Sequence, residues 1–443
     1  MYIICEFWRN LMASIPEQMA ERRMLPVIVA STLGTTIEWY DFFLYGTVAA
    51  LVFPSLYFPQ SDAFVGTLLS LTTFLIGFIA RPIGGIVFGH LGDRIGRKST
   101  LIATLLLMGI STVLIGCIPG YNMIGVTAPI LVSLLRFCQG LGVGGEWGGS
   151  VLLALEYGHE RNRGFWASWP QAGVPIGLVL SAGLVAIFAA ISGDQFSVWG
   201  WRIPFLLSAL LIAVGLYIRL RIMETPLFTK VQESKQEARL PVWDVLRSNW
   251  EEVILSAAVR FVEQAPFYLF SVFVIVYGAQ YLHADRQLIL AGIYIAAIVE
   301  FFTIPYFGYL SDRYGRRGWY MIGCLLMLLF AFPYFLLLNT GNPILIILGI
   351  VLSLAVCHSF VYGPQAALIS ERFSTRLRYS GASIGYQLAA PFAGGLAPLI
   401  AAVLLETFKG SYVPVALYII ILAAFSFIAT LGLKEMAHVD ISD

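Results

Sequence analysis

Charge is scarce in this sequence. Asp, Glu, Lys and Arg make up 12% of its 443 residues, where a soluble domain carries about a quarter. The formal net charge is +1, so no basic surplus exists to hold a nucleic acid. Cysteine is scarce too. Cys5, Cys117, Cys138, Cys324 and Cys357 follow no metal-ligand or redox spacing, and most lie inside apolar runs as small core residues. No nucleophile–base constellation appears, so neither an enzyme nor a cofactor or metal site is expected. Arg9, Arg22 and Arg23 are basic, but no apolar signal core with a small-residue cleavage site follows them. Residues 1–24 read as a cytoplasmic tail, with Met12, Met19 and Met24 as alternative starts.

Apolar residues are abundant instead, at 58% of the chain, and the mean hydropathy is +0.81. A hydrocarbon core needs about 20 apolar residues as helix. Twelve segments meet that length, near 26–50, 64–88, 99–118, 126–157, 163–192, 200–222, 251–281, 286–310, 318–338, 343–369, 378–405 and 411–433. Lys and Arg orient them. The two tails and the loops after spans 2, 4, 6, 8 and 10 hold 21 of the 27 basic residues. The opposite loops and their edges hold Arg202, Arg286 and Lys409, and Arg81, Arg136 and Arg260 lie inside spans. Both termini are therefore expected in the cytoplasm. The longest polar stretch, 223–250, separates a six-helix bundle at 25–222 from a second at 251–434, with a short tail at 435–443.

A ten-residue stretch occurs twice. GHLGDRIGRK (89–98) follows span 2, and GYLSDRYGRR (308–317) follows span 8. Glu156 and Arg163 beside span 4 are echoed by Glu371 and Arg378 beside span 10. A parallel repeat in a membrane protein suggests two related halves that rock against each other. Asp93 and Asp312 sit where a carboxylate can accept hydrogen bonds from a neighbouring helix N-terminus. Gly96 and Gly315 suit a tight turn, and Gly89 and Gly308 allow close helix packing.

Twelve spans, a central loop and the paired charged loops resemble the major facilitator superfamily. Span 4 adds Arg136, Gln139, Gly140, Gly142, Gly144 and Gly145 in LLRFCQGLGVGGEWGG. The stretches IEWYDFFLYG (37–46), ARPIGGIVFGHLGDRIGRK (80–98), GGEWGG (144–149) and WGWRIPFLLS (199–208) look like its metabolite:proton symporter family. VFP (52–54), RFVE (260–263) and RYSGASIGYQ (378–387) look most like the shikimate and organic-acid permeases. The resemblance covers nearly the whole chain. It implies an all-α fold of twelve helices in two six-helix halves, in the bacterial inner membrane and acting as a monomer. The implied activity is import of a small organic acid (shikimate-like, dicarboxylate or aromatic) with a proton, driven by the proton gradient through alternating access. It also implies a cytoplasmic gate built from Gly89, Asp93, Arg94, Gly96 and Arg97 with Asp312, Arg313, Gly315 and Arg316. A betaine or proline symporter is the alternative. Osmosensing members of that kind carry a long helical C-terminal extension, whereas about ten residues follow span 12 here. A non-transporting membrane sensor is a remote third reading.

Ionisable residues inside spans are expensive and mark functional sites. Five acids, Glu38, Asp41, Glu146, Glu263 and Glu300, face three bases, Arg81, Arg136 and Arg260. That leaves two carboxylates without a basic partner, suited to carrying a proton. Glu38 and Asp41 lie three residues apart, hence on one helix face near the midplane. Asp41, with Glu38, is the expected proton carrier, with Arg136 beside it. Arg260 is the expected clamp for a substrate carboxylate, because a guanidinium offers two parallel donors. Glu263, Arg136, Gln139, Gln171, Tyr386 and Gln387 are expected to line the substrate site. Tyr268, Tyr362 and Gln365 are further candidates. Arg81 and Glu146 share one depth and are expected to form a structural pair. Trp147, Trp166 and Trp169 read as core or interfacial anchors, and His358 as a packed, hydrogen-bonded histidine. Arg81 precedes Asp93 by twelve residues, as Glu300 precedes Asp312, so the same place in each half carries opposite charge.

Overall fold

A computed structural model describes residues 21–61, 63–158, 160–221, 224–234 and 238–441. Among them every regular element is helical. Lipid offers no partner for backbone N–H and C=O groups, so apolar runs of this length close their hydrogen bonds internally as helices. The spans are α1 (Glu21–Leu51), α2 (Ala63–Ile95), α3 (Arg97–Cys117), α4 (Thr127–Tyr157), α5 (Arg163–Ser192) and α6 (Arg202–Arg221). The second half holds α7 (Trp250–Ala279), α8 (Arg286–Tyr314), α9 (Arg316–Leu338), α10 (Pro343–Ser370), α11 (Arg378–Thr407) and α12 (Val413–Leu431). Eleven are apolar enough to cross a bilayer on hydropathy alone. The twelfth, α1, is long enough, but Thr35, Thr36, Glu38 and Asp41 lower its apolar average.

Two spans run further than their apolar stretches. α2 ends at Ile95 and α8 at Tyr314, so Asp93 and Asp312 lie on the last helical turn, not in a loop. A single glycine then breaks each helix, Gly96 at φ +107° and Gly315 at φ +89°. Residues with a Cβ rarely adopt that backbone. The expected polar loop at 223–250 holds two short helices, Pro226–Glu233 and Pro241–Ser248. The tail expected at 1–24 is helical from Glu21. Its first twenty residues, and the choice of start, lie outside the described residues.

The halves meet where α5 packs on α8 and α2 on α11. Glycines permit both crossings. A Cβ at Gly308 would stand 2.7 Å from the Gly164 carbonyl oxygen, and one at Gly89 2.9 Å from Ser380 Cα. Between these crossings, Trp39 and Phe43 of α1 pack on Phe267 of α7. Three helices of the second half carry a widened, π-helical turn: Leu269–Phe273 in α7, Leu352–His358 in α10 and Ala390–Gly395 in α11. Such turns break the regular ladder and recur at functional sites.

Candidate functional site

At the cytoplasmic end, both oxygens of Asp93 accept backbone N–H groups at the start of α11, from Tyr379 at 3.2 Å and Ser380 at 2.8 Å. Asp312 does the same at the start of α5, from Gly164 and Phe165 at 2.8 Å each. Each carboxylate thus sits on the positive end of a helix from the other half. Arginines complete both sites. Arg97 lies 3.4 Å from Asp93 and 3.5 Å from Glu156, and Arg378 reaches Glu156 at 3.2 Å. Arg316 lies 2.7 Å from Asp312 and 3.0 Å from Glu371, and Arg163 reaches Glu371 at 3.3 Å. Glu156 and Glu371 therefore each hold one arginine from their own half and one from the other. All eight side chains are buried, and charges tolerate that when paired. Glu156, Arg163, Glu371 and Arg378 were visible as an echo in the sequence, but that echo alone did not assign them to this network. Arg94 and Arg313 stand outside it. Both are exposed, and Arg313 covers the Tyr309 ring. One residue beyond each Asp, they point about 100° away around the helix. These contacts join the two halves at this end of the helices.

In the interior of the first half, Asp41 accepts a hydrogen bond from Ser208 of α6 at 2.6 Å, and its second oxygen has no hydrogen-bond partner. Glu38 lies beside it, and both line a narrow cavity among α1, α3 and α4 that also reaches Glu146. Arg136 does not touch Asp41 directly. It donates to Gln139 at 3.1 Å, and Gln139 donates to Thr112 at 2.6 Å, beside Asp41.

The expected Arg81–Glu146 pair does not form. Glu146 is bonded to Arg219 of α6 and accepts from Ser150 and Thr104. Arg81 lies over the rings of Phe42, Phe78 and Trp39, at 4.3, 4.6 and 5.3 Å. The reason is rotational. Gly144 is the residue of α4 that packs on the Arg81 backbone. Glu146, two residues on, is turned about 200° away from that contact. Arg219 lies on the last turn of α6, at the edge counted with the loop that follows.

In the second half, Arg260 contacts Glu263 at 3.3 Å, donates to the Tyr386 carbonyl oxygen at 2.5 Å and lies over the Tyr386 ring. The other face of that ring stacks on Trp147 of α4, with centroids 3.5 Å apart. Gln171 accepts from Trp147 and donates to the Tyr362 carbonyl oxygen, and Gln387 donates to Val143. These contacts bring Gln171, Tyr386, Gln387 and Arg260 together at the junction of the halves. His358 is more than a packing residue. Its two nitrogens face two carboxylates, Glu300 at 2.5 Å and Glu263 at 3.6 Å. Arg219 and His358 enlarge the set of interior bases, yet they pair with Glu146, Glu263 and Glu300, so among the described residues Glu38 and Asp41 remain the two acids with no ion-paired base. Several buried donors remain bare: Nε and Nη2 of both Arg81 and Arg136, the amide of Gln264 and the hydroxyl of Tyr268. Buried polar groups are ordinarily partnered, so bare ones near the junction suit a ligand.

A bundle of twelve membrane helices, closed at one end by matched latches between two halves, has the architecture of a secondary transporter. The chain matches the Major Facilitator Superfamily over residues 31–398, and it belongs to that family. It is 42% identical over 418 residues to the inner membrane metabolite transport protein YhjE of Escherichia coli K12, covering 93% of this chain and 94% of the relative. It is 39% identical over 410 residues to the shikimate transporter of the same organism, covering 92% and 94%. It is 35% identical to the glycine betaine/proline/ectoine/pipecolic acid transporter OusA of Dickeya dadantii, covering 94% and 84%. The fold matches the solved proton:xylose symporter XylE with a TM-score of 0.76 at 17% identity, over 96% of this chain and 98% of that one. These relatives place the chain in the metabolite:proton symporter branch. It is a multi-pass plasma-membrane transporter of small metabolites, not an enzyme.

Proposed function

We propose that the protein imports a small organic acid together with a proton. The observation that carries this reading is the set of bare guanidinium edges. Arg81 and Arg136 are buried with unpartnered N–H groups, and Arg81 lies within electrostatic reach of Arg260, Tyr268 and Tyr386. A carboxylate entering the junction would satisfy donors that nothing in the protein satisfies. Arg260 has Glu263 and the Tyr386 carbonyl already, so Arg81 shares the clamp with it. Asp41, with one oxygen bare and a cavity beside it, is the proton carrier, and Glu38 extends the acid lining of that cavity. The latches at Asp93 and Asp312 hold the cytoplasmic side shut until substrate and proton are both bound. The similarity to the shikimate transporter supports the acid reading.

A zwitterion such as betaine is the second reading, favoured by the similarity to OusA and by the aromatic faces of Trp39, Phe43 and Phe267, which suit a quaternary ammonium. Uptake of labelled shikimate, a dicarboxylate, an aromatic acid, proline and betaine into proteoliposomes, with and without an inward proton gradient, separates the readings. Gradient-dependent uptake of an acid supports the first. Uptake confined to the zwitterions overturns it.

A further inference from the structure

Away from the gate, charge in the described membrane interior divides unevenly between the halves. In the first half, Glu38, Asp41 and Glu146 are matched by Arg81, Arg136 and Arg219. All three bases are arginines, which keep their protons. In the second half, Glu263 and Glu300 are matched by Arg260 and His358. An imidazole exchanges its proton readily. Neutrality there is conditional. Arg260 with two carboxylates leaves one negative charge, so the group is neutral when Glu263, His358 and Glu300 share one proton.

The geometry lets that proton move. Arg260, Glu263, His358 and Glu300 form a continuous buried chain across α7, α10 and α8, with contacts of 3.3, 3.6 and 2.5 Å. His358 ends the widened turn of α10 and packs between Phe267 and Tyr362, with ring centroids 5.0 and 4.9 Å away. The titratable groups facing the chain are Tyr268 of α7, Tyr320 of α9, Tyr362 of α10 and Tyr386 of α11. From the first half, Arg81 lies within electrostatic reach of Arg260. Tyrosine and arginine both hold their protons across the physiological range. The exchangeable proton therefore belongs to Glu263, His358 and Glu300.

We propose that this acid–histidine–acid chain is a second proton-carrying site, distinct from Asp41, that takes up one proton as a substrate carboxylate docks on Arg260. The inference rests on the symport reading above. A second proton leaves the chain with one positive charge, and the arriving carboxylate cancels it. When the substrate leaves toward the cytoplasm, the positive charge is uncompensated and the proton leaves from Glu263, His358 or Glu300. Binding and protonation are thereby linked through charge balance in a region that tolerates no excess.

Nitrogen-15 NMR of the imidazoles in the full-length protein, reconstituted in nanodiscs, tests the site without any substrate. The protein has five histidines, and the His358 signals are assigned by their loss in His358→Gln. Between pH 5 and 9 the His358 nitrogens are expected to change protonation state, and Glu300→Gln is expected to move the midpoint by about one pH unit or more. A single protonation state across that range, in both proteins, overturns the proposal. A transport assay gives the second readout. With labelled shikimate as probe, the ratio of gradient-driven accumulation to counterflow is expected to fall about tenfold or more in His358→Gln and in His358→Gln/Glu300→Gln. An unchanged ratio in both variants overturns the proposal. Wild-type protein that moves none of the acids in the panel defeats the symport reading itself, while the NMR result still decides whether the chain exchanges a proton.

Discussion

Asp93 sits three residues before the glycine that ends α2, and both its oxygens take N–H groups of α11. Replacing it with Asn exchanges one acceptor for a donor and removes the charge. A hydrogen bond to a charged group contributes about 1.5–3 kcal/mol. Asp93→Asn is therefore expected to lower uptake about tenfold or more while the amount of protein in the membrane stays constant. Normal uptake by a well-expressed variant would contradict the latch. Arg219 and Glu146 make a different case, structural rather than gating. Arg219→Ala leaves a buried carboxylate unpaired, at a cost of about 3–5 kcal/mol. The melting temperature in detergent is expected to fall markedly, and Arg219→Gln/Glu146→Gln to recover much of the loss. Equal melting of the single and double variants would show that the pair does not matter. Depth along a helix, which sequence yields, could not find this pair. The face of the helix decides it, and Gly144 sets that face only once α2 and α4 are packed together.

Helix ends carry the next level of organisation. Gly96 and Gly315 stop α2 and α8, and the helices that follow each receive a carboxylate at their first turn. Glu224 accepts from Lys98 N at 3.2 Å, and Glu435 accepts from Arg316 N and Arg317 N at 3.0 and 2.9 Å. The two acids follow α6 and α12, the last span of each half, so the repeat extends beyond the ten-residue stretch. The segment after α12 also crosses the gate, where the carbonyl oxygens of Val439 and Ile441 accept from Arg163 and Arg378. At the α5–α8 crossing, a Cβ at Gly308 would meet Ser168 Oγ at 2.5 Å as well as the Gly164 carbonyl. Gly308→Val is thus expected to hold the cytoplasmic ends apart. A cysteine at Ser380, in a background without the native cysteines, is expected to react about fivefold or more faster with an impermeant maleimide applied from the cytoplasmic side. Unchanged reactivity would show that the crossing does not control the gate. Spans and orientation were legible in the sequence because bilayer thickness fixes run length and Lys/Arg placement fixes direction. The true ends of α2 and α8 were less so, since their last turns are polar and look like loop.

Across the whole molecule, one scaffold is used twice for closing and differently for chemistry. The latches at Asp93 and Asp312 match residue for residue, and the repeat made them legible. The interiors do not match. The first half balances its acids with arginines, and the second does so with one arginine and one histidine. His358 carried no motif, and its meaning appears only when α7, α8 and α10 bring Glu263 and Glu300 to its two nitrogens. Proton-coupled uptake of an acid is the central claim. Its most direct measurement is the pH outside proteoliposomes, recorded as an accepted acid is added in the absence of any imposed gradient. The medium is expected to become alkaline as the acid enters, and the alkalinisation per acid imported is expected to fall with Asp41→Asn. Acid entry with no change in external pH would contradict the claim.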